Sequence, residues 1–160
     1  MSLRILYADE LRGFLKSRVM LVLGIGMPLV TLVVHALQPD LEGQMPLAVF
    51  STLLVSVISS TIAAVMLSVG IIHERARGVY ALFLVRPVRR SSIVLAKYAA
   101  VVTCVAAAAA LTIAVGWAWD ALAGRAVGGA ASAAIATSAA TGIATIAISS
   151  AAGLLIGIAA

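Results

Sequence analysis

The chain has 160 residues, of which 63% are apolar and 11% charged, and its mean hydropathy is +1.17. Soluble domains carry about a quarter of their residues as charged side chains, so this composition excludes a soluble protein and indicates an integral membrane protein with a single transmembrane domain, residues 1–160. The net charge of +5 is concentrated beside apolar runs rather than interleaved with exposed aromatic residues, so we expect no nucleic-acid partner.

Residues 1–18 predict an amphipathic helix that lies in the membrane interface. At 100° per residue, Asp9, Arg12 and Lys16 share one side. The opposite arc carries Leu3, Tyr7, Leu11, Phe14 and Leu15. Such a helix directs its basic residues toward headgroups, which makes membrane lipid a predicted partner. Alternatively, these residues only flank the first membrane-inserting helix.

Four apolar runs follow, and each is near or above the roughly 20 residues that a helix needs to cross a bilayer. We place the spans at about 19–37, 46–72, 92–118 and 130–158. The predicted fold is therefore an all-α integral membrane protein, in which an interfacial helix precedes four transmembrane helices.

Basic residues set the expected orientation. Ten of the eleven Lys and Arg residues lie in residues 1–18 or 73–97. Because Lys and Arg near span ends are retained in the cytoplasm, we expect a multi-pass protein of the plasma membrane with both termini cytoplasmic. Asp120 then falls in an external loop, and Arg89, Arg90 and Lys97 act as topology and headgroup anchors.

Motifs for catalysis are absent from the sequence. It contains no phosphate-binding loop, no HExxH, no CxxC and no carboxylate pair within a span. We therefore predict that the chain is not an enzyme and holds no cofactor or metal. His35 and His73 are expected to be interfacial polar residues. The spans also lack a central charge, which disfavours a proton- or sodium-coupled carrier.

Small hydroxyl residues follow one face of the second and fourth spans. They are Thr52, Ser56 and Ser59 in the second span and Ser138, Thr141, Thr145 and Ser149 in the fourth. Such residues let helices approach closely and hydrogen-bond across the contact. Helix packing is the interpretation that we favour, and the lining of a transport pathway is the alternative, which can coexist with it.

The loop at 73–91 predicts a short helix between two breaks. The residues at its entry are Glu74, Arg75, Arg77 and Gly78. Residues 79–85 then form an apolar run containing Tyr80 and Phe83, which Pro87 ends because the residue before a proline avoids helical geometry. This helix would lie on anionic headgroups or insert into a groove of a cytoplasmic partner.

The run E-R-x-R-G-x-x-x-L-x-x-x-R-P-V-x-R-x-x-I-V-L-A-K, from Glu74 to Lys97, resembles the loop between the second and third spans of type-2 ABC exporter permeases. The segment ADELRGFLKSR at 8–18, with MPL at 27–29, is similar to the opening of the same family. These segments are not catalytic fingerprints, but together they cover both basic regions of the chain.

The resemblance implies that the 79–85 helix is a coupling helix that docks on a separate ATP-binding cassette subunit, which binds the ATP and Mg²⁺. The coupling residues would be Val79, Tyr80, Leu82, Phe83 and Val85, entered through Glu74, Arg75, Arg77 and Gly78. It also implies pairing with a second permease chain, in a homodimer or heterodimer, and export from the cytoplasm or inner leaflet. Such permeases usually have six spans, so we expect a fragment or a short subunit.

An alternative function is a non-transporting membrane scaffold or assembly subunit that binds lipid or protein through its basic loop. A small channel or secondary carrier is a third hypothesis, weakened by the lack of charge within the spans. A lipid, an amphipathic drug or a peptide would suit these spans equally, so the sequence predicts no substrate class.

Overall fold

The computed structural model describes residues 3–37, 46–76, 90–124 and 128–159. These residues form five helices and no strand: α1 (Leu3–Lys16), α2 (Arg18–Leu37), α3 (Leu47–Ala76), α4 (Arg90–Leu122) and α5 (Gly129–Ala159). The last four are long and apolar enough to cross a membrane. The predicted all-α class with four candidate spans is confirmed, whereas the predicted coupling helix lies outside the described residues.

The helices α3 and α4 are longer than the predicted spans. Helix α3 continues to Ala76, and α4 continues to Leu122 before Gly124, at a φ of 70°, ends it in the left-handed conformation. Asp120 therefore lies in a helix, which corrects its expected place in a loop. At 33 residues, α4 is about 50 Å long and exceeds the roughly 30 Å of a hydrocarbon core, so its ends extend beyond that core.

A serine joins α1 to α2. The Ser17 hydroxyl donates to the Phe14 carbonyl at the end of α1 (2.7 Å) and accepts from the Met20 backbone N–H in the first turn of α2 (3.3 Å). One side chain thus satisfies exposed backbone groups of two helix ends. Helix α1 also contacts α4, where the Tyr7 hydroxyl donates to Thr103 Oγ1 (3.1 Å).

Helices α3 and α4 form the centre of the bundle, with α5 packed along α3 and α2 along α4. The buried core includes Leu67 of α3, Val101 and Val105 of α4, and Ile146 of α5. Helix α2 turns one narrow face inward, on which a buried residue recurs every four positions. These residues are Leu23, Met27, Thr31 and His35.

Glycines bring α5 into backbone contact with α3. A Cβ at Gly153 would lie 2.7 Å from the Ala64 Cα, and one at Gly157 would lie 3.1 Å from the Ser68 Cα. Both contacts advance by four residues in the same direction, so the two helices run parallel. This spacing is the small-xxx-small pattern that lets membrane helices pack closely.

Candidate functional site

Three helices meet at an ion-paired cluster around Lys97, which we call the Lys97 cluster. The Lys97 ammonium of α4 contacts Glu74 Oε1 at the end of α3, and it lies 3.7 Å from Glu10 Oε1 of α1. Lys97 is only 8% exposed. A lysine this deeply buried needs charged partners, and here it has two. Lys97 therefore links α1, α3 and α4 inside the bundle instead of anchoring the chain to lipid headgroups, as the sequence predicted.

The electrostatics of this cluster are unbalanced, because one ammonium serves two carboxylates. Burial raises the pKa of Glu10, Lys97 lowers it in part, and the negative charge of Glu74 raises it further. Desolvation disfavours the ionised carboxylate more than the lysine favours it. Glu10 is consequently the member of the cluster that takes up a proton more readily than an ordinary glutamate.

Asp120 makes the second polar link, at the opposite end of α4. Its Oδ1 accepts from the Leu47 N–H (3.1 Å) and its Oδ2 from the Ala48 N–H (2.8 Å), in the first turn of α3. Pro46, which precedes α3, has no side-chain acceptor, so the cap comes from another helix. The carboxylate is fully buried, and its charge complements the positive end of the α3 dipole.

The glycine at 116 allows this approach. A Cβ there would lie 2.9 Å from Ser51 Oγ and 3.3 Å from the Ala48 Cα. Helix α4 therefore touches the start of α3 closely enough for Asp120 to reach it. From Lys97 to Asp120 the helix rises about 35 Å, slightly more than a hydrocarbon core, so the two polar links can lie at opposite membrane boundaries.

His35 lies near the Asp120 end of the bundle and is 3% exposed. Its ring packs against Phe50 of α3, with 5.9 Å between ring centroids. Neither ring nitrogen has a hydrogen-bond partner in the part of the chain that the structure describes. The side chain is thus buried within the bundle, in the last turn of α2, where the sequence predicted an interfacial polar residue. His73 is exposed at the other end, in α3.

The predicted coupling residues fall mostly outside the described ranges. Glu74 is part of the Lys97 cluster, and Arg75 occupies the last turn of α3. The others are outside the described residues: Arg77, Gly78, Val79, Tyr80, Leu82, Phe83 and Val85. The structure therefore describes both flanks of the predicted coupling helix, the end of α3 and the start of α4.

The hydroxyl residues of α3 and α5 have different surroundings. Thr52 and Ser59 are buried, and Ser56 faces α5, because a Cβ at Gly142 would lie 2.7 Å from its Oγ. Thr52 and Ser56 also line an apolar cavity of about 70 Å³ between α3, α4 and α5. On α5, Ser138 and Ser149 are half-buried, and Thr141 and Thr145 are exposed. The hydroxyls of these two threonines donate to carbonyls of α5 itself.

Sequence reasoning missed the α5 face that packs on α3. That face carries Gly142, Ile146, Ser150, Gly153 and Gly157. Its signal was the Gly-x-x-x-Gly spacing of Gly153 and Gly157 rather than the hydroxyl pattern. Among the described residues, no group of three His, Cys, Asp or Glu side chains could hold a metal ion.

Four long apolar helices, with polar links about one hydrocarbon thickness apart on α4, define a multi-pass membrane protein. A family model described as a protein of unknown function, DUF2705, matches residues 21–157, from the first turn of α2 to the last turn of α5. The chain belongs to this family. No curated protein and no solved structure gives a significant match.

Proposed function

We propose that the chain is a membrane-spanning permease subunit of an ATP-driven ABC exporter, located in the plasma membrane with both termini in the cytoplasm. The 73–91 loop docks a separate ATP-binding cassette subunit, which holds ATP and Mg²⁺ and carries out hydrolysis. A second permease chain completes the membrane part. The family resemblance of Glu74 to Lys97 and the excess of basic residues on one side support this proposal.

One structural observation supports the proposal most strongly. The helix before the loop and the helix after it are joined, close to the loop, by the same ion-paired cluster. Glu74 lies in the last turn of α3, and Lys97 lies in the second turn of α4. Glu10, which also pairs with Lys97, connects α1 to the same cluster. A displacement applied to residues 77–89 would therefore be passed to three helices at once.

The direct test is to change Tyr80 and Phe83 to Ala together in the full chain. The tagged protein is purified from its native membranes, the co-purifying cassette subunit is identified by mass spectrometry, and the ATPase rate of the complex is measured. We expect loss of the cassette subunit or of coupled ATPase activity, because aromatic anchors dominate helix-in-groove contacts. Trp117→Ala, an exposed aromatic residue near the Asp120 end, is the matched control and should change neither.

Retention of both the partner and its coupled activity in the double variant would refute the coupling-helix assignment. A second arm changes the Walker lysine of the cassette subunit. If the phenotype of the chain does not depend on that lysine, the membrane scaffold becomes the better hypothesis.

A further inference from the structure

Most of the apolar arc that the sequence predicted for α1 packs against the bundle. Tyr7 is hydrogen-bonded to Thr103 of α4, and Phe14 packs against the buried core. Leu11 is half-buried. The side of α1 that turns away from the bundle is therefore a different one, which we call the outer face. Its exposed side chains lie on one half of the helix and are Arg4, Ile5, Ala8, Asp9, Arg12, Leu15 and Lys16.

The outer face carries an excess of basic charge. Arg4, Arg12 and Lys16 contribute three positive charges, against the single negative charge of Asp9. None of these four residues forms a salt bridge within the described part of the chain. Arg12 and Lys16 are four residues apart, so their charges are neighbours on the helix surface and repel each other. An anion bound between them would reduce this repulsion.

Two large apolar side chains lie among these charges. Ile5 is 53% exposed and Leu15 is 57% exposed. Leu15 is next to Lys16 in the sequence and lies one helical turn from Arg12. Exposed apolar residues between Arg and Lys are typical of a helix in the membrane interface, where the apolar side chains enter the acyl region and the basic side chains reach the headgroups.

The contacts of α1 place its outer face at the membrane boundary. Glu10 pairs with Lys97 near the charged end of α4. Tyr7 contacts Thr103, which lies six residues further along α4 and therefore about 9 Å deeper in its apolar part. After Ser17 the chain continues directly into α2, which is also a candidate span. A helix held at this depth has lipid at its free side, which favours a lipid rather than a soluble protein as its partner.

We propose that the outer face of α1 binds an anionic phospholipid in preference to a zwitterionic one. The lipid phosphate lies between Arg12 and Lys16, and an acyl chain runs along Leu15. A zwitterionic headgroup carries its own ammonium group, so it offers these side chains no net negative charge. The site requires only that the bundle lies in a membrane, and it does not depend on the proposed docking of a cassette subunit.

Fluorescence quenching by brominated lipids tests the proposal. Trp117→Phe and Trp119→Phe remove the two native tryptophans, and Ala8→Trp places a reporter on the outer face. The full chain is reconstituted in vesicles of phosphatidylglycerol and phosphatidylcholine, with bromine on the acyl chains of one lipid or of the other. At equal lipid fractions we expect the reporter to favour phosphatidylglycerol about five-fold, the effect of one basic residue near an anionic surface.

The decisive variant adds Arg12→Gln and Lys16→Gln to the reporter chain and should lose the preference. The matched control exchanges the same two residues, as Arg12→Lys with Lys16→Arg, and should keep it because the charge is unchanged. Asp9→Asn should strengthen the preference, since it removes the opposing charge. Equal quenching by both lipids at the reporter would overturn the proposal and leave the outer face to a protein. A preference that survives the two glutamines, or that the charge-preserving exchange abolishes, would also overturn it.

Discussion

Glu10 is held near a lysine that it shares with another carboxylate. The Glu10 carboxylate is 3.7 Å from the Lys97 ammonium, whereas Glu74 is in direct contact with it. The pKa of Glu10 is raised because burial destabilises its ionised form more than the charge of the shared lysine stabilises it. The ion pair between Glu10 and Lys97 is therefore not evidence that Glu10 stabilises the fold.

Replacing Glu10 with Gln should reduce the pH dependence of stability without destabilising the protein above the titration range. Because the folded pKa is raised, the folded protein binds more protons than the unfolded chain between the ordinary and raised values. Its stability therefore falls as pH rises through that window, and Gln removes this fall. The measurement is the free energy of unfolding by denaturant in micelles across the acidic to neutral range.

Asp9→Asn is the matched control for this experiment, since Asp9 is exposed on the same helix. Its negative charge makes the smallest contribution to the raised pKa of Glu10, so the change should leave most of the pH profile in place. A wild-type stability that instead rises with pH through this window, together with a Glu10→Gln variant that is less stable at neutral pH, would show that attraction to Lys97 outweighs burial.

Asp120→Ala should lower the free energy of unfolding by about 1–2 kcal/mol, the upper part of the range for lost helix caps. The change leaves the Leu47 and Ala48 N–H groups without their buried acceptor. Asp120→Asn keeps one acceptor oxygen and should cost less. The comparison is made by unfolding in the same micelles, with Asp9→Ala expected within about 0.5 kcal/mol of the wild type. Equal effects of Asp120→Ala and Asp9→Ala would contradict the capping role.

The sequence indicated that Lys97 and Asp120 lie near membrane boundaries but not what they contact. Hydropathy identifies where charge begins, and it treats every charge beside a span as a loop marker or headgroup anchor. Lys97 is instead paired with residues 23 and 87 positions away in the chain, and Asp120 with residues more than 70 positions away. Such long-range pairs depend on helix arrangement, which one sequence does not specify.

At the scale of the helix, the predicted bounds agree with α2 and α5 to within a residue or two, because long apolar runs are strong signals. The inward faces were harder to predict. Helix α5 is apolar on all sides, so alternation between apolar and polar residues cannot separate its lipid face from its protein face. Hydroxyl residues suggested one face, while Gly153 and Gly157 pack on another.

Gly153→Ala should weaken the contact between α3 and α5 and cost about 1–3 kcal/mol of unfolding free energy, as overpacking does. The new Cβ would meet backbone atoms of Ala64, which cannot rotate away. Thermal or denaturant unfolding measures the loss.

Gly70→Ala is the matched control within α3, because nothing lies within 4 Å of its added Cβ. Helix propensity alone predicts that it stabilises by up to about 1 kcal/mol. If Gly153→Ala were equally stabilising, the close approach of the two helices would be wrong.

For the molecule as a whole, the charge distribution predicts opposite exposure of the two ends of the bundle. Single cysteines at Arg4 and Leu122, both exposed, are introduced in a Cys104→Ala background and treated with a membrane-impermeant maleimide. We expect Leu122→Cys to react in intact cells and Arg4→Cys only after permeabilisation. The wild-type chain is the control, since Cys104 is buried at 3% exposure. The reverse pattern, or labelling of both from one side, would contradict the proposed orientation.

The cap that Asp120 places on α3 also constrains the order in which the protein is built. The Ala48 N–H pairs with a carboxylate that lies 72 residues later in the chain. A ribosome that adds about 5–20 residues per second synthesises Asp120 some 4–15 seconds after Ala48. Until then, the Leu47 and Ala48 N–H groups lack this acceptor. The cap at the start of α3 can therefore form only after α4 has been synthesised, later than the chain of the α2–α3 hairpin to which it belongs.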